Sequence, residues 1–380
     1  MTMRHAIAAS HVFDGTALHR DAAVVLEEEM IAALVPRAEL ASDVPLETLP
    51  ERTWLAPGFI DTQVNGGGGV LFNNDPTPEG IGAIVAAHRK FGTTALLPTL
   101  ISDVPEKTAR ALRAVAAAAE IMPSVIGIHL EGPFLSPERP GVHDPHTLRR
   151  PGDADLAMIT AQRRWVTLVT LAPEQVPDAF IGALTAAGVR VALGHSMATY
   201  AQTRAAIAAG LTGFTHLFNA MRPLASREPG PITAALETPG ASFGMIVDGV
   251  HVDPAMLRLA LRGLAQPMLV TDAMPPVGTE LSAFSLYGES IAVREGRCLR
   301  SDGTLAGSML DMASAVRNCV DLLDVPLTDA LRFASLNPAK FLGLDHVIGK
   351  IAPNHRADLV AFDPDTIEVR TTWVAGSQAG

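Results

Sequence analysis

Cysteine is nearly absent from this chain: Cys298 and Cys319 are the two in 380 residues. They lie apart with no metal-type spacing and offer no disulfide framework, so the chain reads as one from a reducing compartment. An excess of positive charge is also missing. The net charge of −11 excludes a general nucleic-acid binder and leaves any anionic ligand to local cations. No run of about 18 apolar residues occurs, which excludes a membrane-spanning helix. The start, Met1-Thr-Met-Arg-His5, leads into a mixed segment with Asp14 and Asp21 rather than the apolar core of a secretory signal. With 48% hydrophobic and 18% charged residues, what remains is a compact cytoplasmic protein with core enough for one large domain and a smaller one.

Two styles of sequence alternate along the chain. Residues 1–54 carry short β-type runs, Ala22-Ala-Val-Val-Leu26 and Met30-Ile-Ala-Ala-Leu-Val35, with Asp14-Gly15 as a hairpin signal. Residues 344–380 return to that style with Asp358-Leu-Val-Ala-Phe362, Thr366-Ile-Glu-Val-Arg370 and Thr372-Trp-Val374. Neither end makes a stable sheet alone, and together they predict a small β-sandwich domain built from both termini. Residues 55–343 instead repeat strand, loop and helix. Strands are expected at Leu55–Val64, Thr93–Pro98, Val125–Leu130, Trp165–Leu171, Val189–Gly194, Gly213–Leu217, Phe243–Val247 and Met268–Thr271. A helix is expected from Pro254, capped by Asp253, with Leu257, Leu261 and Leu264 on its buried stripe. Tyr200, Arg204 and Ile207 form a similar stripe closed by Gly210. Eight alternating units over about 250 residues predict an α/β fold of the (β/α)8, TIM-like barrel type. An open doubly wound sheet is the alternative, and no Gly-x-Gly-x-x-Gly turn supports it.

Several of these apolar runs end abruptly in chemistry. Val125-Ile-Gly-Ile-His-Leu-Glu131 stops at Glu131 before a Gly-Pro break. Val189-Arg-Val-Ala-Leu-Gly-His195, Gly213-Phe-Thr-His216 and Met268-Leu-Val-Thr-Asp272 end in the same manner. In a barrel these four residues face one mouth, at the carboxyl ends of the strands. Taken singly, each could equally cap a helix or bond to backbone; four at matching places favour a site. Two imidazoles and a carboxylate suit zinc or iron, and three protein ligands leave a position for water, whose pKa such a metal lowers to roughly 7. Asp272 would then serve as the base for that water. His129, two residues before Glu131, points to the same barrel face and reads as a supporting partner rather than a ligand. His88, His346 and His355 read as structural or solvated.

These strings resemble a known family. Pro57-Gly-Phe-Ile-Asp61, His129-Leu-Glu-Gly-Pro-Phe134, Gly194-His195, Thr215-His216-Leu-Phe-Asn-Ala-Met221, Asp248-Gly-Val-His251 and Thr271-Asp272-Ala are similar to the amidohydrolase superfamily. Within it they resemble the N-acetylglucosamine-6-phosphate deacetylases. Gly349-Lys-Ile-Ala-Pro353 and Ala357-Asp-Leu-Val360 are similar to the segment by which those enzymes re-enter their small domain. The resemblance covers essentially the whole chain in the family's order. It implies a hydrolase of a linear amide C–N bond that converts N-acetyl-D-glucosamine 6-phosphate to D-glucosamine 6-phosphate and acetate. An N-acetylgalactosamine-6-phosphate deacetylase, a cyclic-amide hydrolase and a non-enzymatic scaffold on the same fold stay open. One departure stands out. Many amidohydrolases carry His-x-His after the first strand, and this chain has Gln63 and Asn65 there. Amides are weak metal ligands, so these are the positions of a lost second site, and one metal per subunit, zinc or iron, is implied at Glu131, His195 and His216. The Gly66–Gly69 run reads as a loop beside the site, since no Lys-Ser/Thr follows it as in a phosphate loop.

The resemblance also implies substrate residues. Val142 and His143 reach the sugar and the amide carbonyl, with the His143 imidazole a catalytic donor to the developing oxyanion. Asn219 and Ala220 meet the phosphate, and His251 is a further contact. Ala306, Gly307 and Ser308 form a sugar-contacting turn. Arg227 reaches the phosphate in the neighbouring subunit of a homodimer, where its planar, permanently charged guanidinium suits that group.

Overall fold

The computed structural model describes residues 4–161 and 164–378; the outermost residues of the two terminal ranges, 1–3 and 379–380, lie outside it. Eight parallel strands run Phe59–Val64, Thr93–Ile101, Gly127–Glu131, Val166–Leu171, Arg190–Leu193, Gly213–Phe214, Ser242–Met245 and Gln266–Leu269, each paired with the next. Being covered on both faces, they are buried almost throughout, as in Thr93–Ile101, where every residue is buried. The ring is joined at its carboxyl end. Val64 bridges Ala273, the Asp272 N–H donates to the Gln63 carbonyl at 3.0 Å, and the Asn65 N–H donates to the Ala273 carbonyl at 3.0 Å. The opposite end is sealed by apolar contacts, where Ile60, Leu97, Ile126 and Met268 meet Phe341 and Leu342 of the helix Leu336–Leu342. Gly213 makes room there, since a Cβ on it would lie 2.7 Å from the Phe341 ring. One end of the barrel is therefore packed shut, and the other holds the polar residues.

The expected strand Leu55–Val64 is two strands in two sheets. Trp54–Pro57 pairs with His11 and Val12 and with Leu359–Phe362 of the terminal sheet, while Phe59–Val64 enters the barrel. The switch occurs at Gly58, where a Cβ would sit 2.1 Å from the Thr94 hydroxyl. No apolar/polar rhythm marks it, because both strands are buried. The terminal sheet has eight strands and joins the two chain ends. Its long strand Arg4–Phe13 buries Ile7 and Val12 against Leu26 and Trp373 on one face, and Ala6 and Ala8 against Ala23 and Val25 on the other.

Helices fill the outside of the barrel. Asp253 caps the helix Pro254–Ala260 by accepting from the Ala255 N–H at 2.8 Å. That helix ends before the expected stripe is complete: Leu257 is buried, but Leu264 is 59% exposed. In Tyr200–Ala208 the buried positions are Thr203 and Ala206, and Arg204 is exposed. Small residues, not the long ones, allow that helix to lie close. A three-stranded sheet, Ala283–Leu286, Glu289–Arg294 and Arg297–Leu299, follows the last barrel strand and was not expected from the sequence. Its hairpins turn through Tyr287-Gly288 and Glu295-Gly296, all four at positive φ, as two-residue turns of this kind demand. Both cysteines are buried free thiols, pushed up to about 12 by burial. Among the described residues no helix is long and apolar enough to cross a membrane.

Candidate active site

The strand ends bring the chemistry together through an unusual backbone. Glu131 is the last residue of its strand. His195, His216 and Asp272 each lie just past theirs, and all three adopt positive φ, at 46°, 30° and 52°. Side chains other than glycine seldom take this conformation, and where they do the cost is held by the surroundings, often at functional sites. Here it turns three strand-end side chains inward.

Glu131 Oε1 lies 3.0 Å from His216 Nε2 and 3.4 Å from His195 Nε2, and the two imidazole nitrogens are 3.1 Å apart. A tetrahedral ion with bonds of about 2.0–2.1 Å spans neighbouring ligand atoms about 3.3 Å apart, so this triangle fits one divalent metal. The His195 Nδ1 donates to the Arg139 carbonyl at 2.9 Å, which leaves its Nε2 lone pair facing the centre. His216 Nδ1 is buried without a hydrogen-bond partner among the described residues. Burial opposes charge on both partners, yet the two histidines hold the Glu131 carboxyl well below its usual range. The Glu131 hydrogen bond likewise lifts His216 against burial. Proton and metal would compete for this site.

Asp272 stands beside the triangle. Its Oδ1 accepts from Asn65 Nδ2 at 2.6 Å and from Gln63 Nε2 at 3.1 Å. Gln63 Nε2 also reaches Glu131 Oε1 at 3.2 Å. The Gln63 amide thus bridges the two carboxylates, while Asn65 holds Asp272 alone. Burial, followed by the Glu131 charge, pushes the Asp272 carboxyl up to about 6. Beneath this layer, Asp61 accepts from the Thr271 hydroxyl at 2.5 Å and ties the first strand to the last.

His143 faces the triangle from the loop after the third strand. Its Nδ1 accepts from the Ser102 N–H at 3.2 Å and lies 2.8 Å from the Ser102 hydroxyl. The ring hydrogen is thereby left on Nε2, 4.0 Å from Glu131 Oε2. Burial, then the neighbouring His195, lowers its pKa to about 3, so the ring is neutral. His129 sits lower in the barrel, 2.7 Å from the Thr170 hydroxyl and 3.3 Å from that of Thr99. Burial lowers it to about 4, and it lies outside the ligand triangle.

These groups share a cavity of about 370 Å³ lined by Glu131, His143, His195, His216 and Asp272, and also by Asn65, Val142, Asn219, Ala220, His251 and Gly307. His251 is held by Asp248 at 2.6 Å. Other residues singled out in the sequence stand apart. Gln63 does not line the cavity, although its amide reaches both Glu131 and Asp272. Ala306 packs into an apolar cluster, Ser308 donates its hydroxyl to the Thr271 carbonyl at 2.5 Å, and Arg227 is exposed on a loop of the same chain. His88 is buried, with its Nε2 2.9 Å from the Gly66 carbonyl. The lining also includes Ile101, Ile246, Met274 and Thr304, which sequence reasoning missed. Thr304 follows the unexpected three-stranded sheet, whose Tyr-Gly and Glu-Gly pairs flanking Glu289-Ser-Ile-Ala-Val-Arg294 were the available signal.

A profile described as "Amidohydrolase family" matches residues 54–379. The chain belongs to the amidohydrolase family. This family is metal-dependent, in keeping with the Glu131, His195 and His216 group. The chain is 44% identical over 343 residues to the N-acetylgalactosamine-6-phosphate deacetylase of Shewanella sp. (strain ANA-3), covering 89% of this chain and 86% of that one. It is 33% identical to the N-acetylglucosamine-6-phosphate deacetylase of Haemophilus influenzae, covering 96% of each. The crystal structure of N-acetylglucosamine-6-phosphate deacetylase from Pasteurella multocida is similar throughout, with a TM-score of 0.96 at 32% identity, covering 99% of this chain and 100% of that one.

Proposed function

We propose that this enzyme hydrolyses the acetamide of N-acetyl-D-glucosamine 6-phosphate, giving D-glucosamine 6-phosphate and acetate. The observation that carries the reading is the meeting, in one cavity, of the three-ligand triangle, the carboxyl of Asp272 and the Nε2–H of His143. A divalent ion bound there supplies a polarised carbonyl and a water acidic enough to attack at neutral pH. The chain's own groups do the rest. His143 donates from Nε2 to the carbonyl oxygen as it gains charge, at no cost of reorganisation because the ring is already held. Asp272 keeps Oδ1 occupied by two amides and offers Oδ2 to the proton of the attacking water. It then delivers that proton to the departing amine, without which the tetrahedral intermediate would revert.

The finer assignments rest on the same reading. One zinc ion per subunit, with iron as the alternative, is held by Glu131, His195 and His216. Asn219 and Ala220 meet the phosphate, His251 is a further substrate contact, and Val142 and Gly307 meet the sugar, with Ala306 and Ser308 shaping the turn from behind. Among the described residues the cavity lining holds no Lys or Arg. A phosphate dianion there lacks a cation from its own chain, which supports a homodimer in which Arg227 reaches the neighbouring site. The protein works in the cytoplasm, without membrane or nucleic-acid partners.

Acetate release from N-acetylglucosamine 6-phosphate tests the function, with the unphosphorylated sugar and the galactosamine epimer alongside and metal measured on the same sample. The epimer is included because the Shewanella relative bears that name. Fast release from the phosphorylated gluco sugar with about one metal per chain is expected. Preference for the epimer would reassign the sugar alone. Equal rates with and without phosphate, or none with metal present, would remove the substrate assignment and point to another amide.

A further inference from the structure

The three-stranded sheet after the last barrel strand contributes one side chain that reaches the catalytic region without lining it. Tyr287 is the first residue of a two-residue hairpin turn at φ +51°, a position that favours Asn, Asp or Gly and penalises a bulky aromatic. Its hydroxyl donates to the Ser102 carbonyl at 2.6 Å. The same oxygen takes a backbone hydrogen bond from Asp144, the residue after His143. Ser102 in turn supplies both groups on His143 Nδ1. On its other side the preceding peptide is fixed by Asn73, whose Oδ1 accepts from the Ile101 N–H at 3.0 Å and whose Nδ2 donates to the Ile101 carbonyl at 2.9 Å.

We infer that Tyr287 and Ser102 are positioning residues that hold His143 with its hydrogen on Nε2. Were the hydrogen on Nδ1, Nε2 would present a lone pair to the substrate's carbonyl oxygen and repel the charge that develops there. Ser102 blocks that tautomer by aiming a backbone N–H at Nδ1. Tyr287 keeps the Ser102 peptides and the His143 loop in register by tying both to one hydroxyl. This gives a reason for a tyrosine at a strained turn position: the ring must cross from the hairpin tip to the end of the second barrel strand. The inference rests on the reading of His143 as the donor to the carbonyl.

The test is Tyr287→Phe, which keeps the ring and removes the hydroxyl. The expected result is a kcat lowered by about 10-fold, in the range typical of removing a partner that orients an active-site ligand, with KM and metal content little changed. A merely structural loss would appear in any background, so the same change is made on His143→Gln, where its effect should vanish. Ser102→Ala removes one of the two groups on Nδ1. It passes through the same cycle and carries the test if Tyr287→Phe fails to hold metal. Equal losses in both backgrounds, or wild-type kcat for Tyr287→Phe beside a slow His143→Gln, would overturn the positioning role alone. Wild-type turnover by His143→Gln would instead overturn the reading of His143.

Discussion

Asn65 Nδ2 lies 2.6 Å from Asp272 Oδ1, and this contact does two jobs at once. It saturates one oxygen of the proposed base so that the other faces the cavity, and it occupies ground that a metal-binding histidine would need. Gln63 acts in parallel on the same oxygen from 3.1 Å. Both amides are built into the site's hydrogen bonding.

Imidazoles in place of both amides should open a second metal position. The double variant Gln63→His, Asn65→His is expected to raise bound metal from about one to about two per chain, because two nitrogens would join Asp272 and Glu131 around a second ion. Elemental analysis of the purified protein reads this directly. A stoichiometry unchanged from wild type would mean that the strand-end geometry itself excludes the ion.

Asp272→Asn keeps the size and one acceptor of the carboxylate but cannot take a proton. Turnover should fall by about 10³-fold or more, while metal content and substrate binding by calorimetry stay near wild type. A variant within tenfold of wild-type kcat would end the assignment of Asp272 as base and acid.

Asp61 predicts a pH dependence of stability. Burial raises its carboxyl from 3.8 to about 7, against hydrogen bonds from Thr271 and Gln63. Between those values the folded chain keeps a proton that the unfolded chain has released. Stability therefore declines as pH rises through this window, by up to about 1.4 kcal/mol per pH unit, and the full cost is present above it. Asp61→Asn removes this share, so denaturation at pH 4.5 and 7.5 should show the variant gaining on wild type at the higher pH. The same difference at both values would contradict the raised pKa.

Arg227→Ala should raise KM for the phosphorylated sugar by at least about tenfold with less change in kcat, as expected for a binding contact made outside the reacting centre. Mixing it with Asp272→Asn subunits tests where the arginine acts. If it reaches the partner's site, each hybrid dimer pairs one defective site with both lesions and one intact site, and low-KM activity returns. No recovery on subunit exchange would confine Arg227 to its own chain.

Much of the architecture was legible because a parallel barrel buries its strands on both faces, so each is an apolar run that stops where the mouth begins. Glu131, His195, His216 and Asp272 announced themselves by ending those runs. The features that escaped notice depend on tertiary context. Leu55 and Ile60 look like one strand, since nothing in their polarity shows that Gly58 passes the chain between sheets. Arg204 and Leu264 fit a helical stripe by spacing, but the barrel accepts Thr203 and Ala206 at one contact and ends the other helix at Ala260. The positive φ at three strand ends is only weakly marked by residue type, because His and Asp tolerate it better than most side chains but are held there by their surroundings. Tyr287 was hidden for a related reason, occupying a turn position where an aromatic is a poor signal.

The pairing of Trp54–Pro57 with Leu359–Phe362 also sets an order of events during synthesis. The two strands are separated by about 300 residues, so at roughly 5–20 residues per second the earlier one waits on the order of 15–60 s for its neighbour to leave the ribosome. Throughout that interval the N-terminal strands present an open edge, a template for unwanted pairing. The barrel must mature beside an unfinished sheet, and release of the chain's last strands both completes that sheet and withdraws the exposed edge.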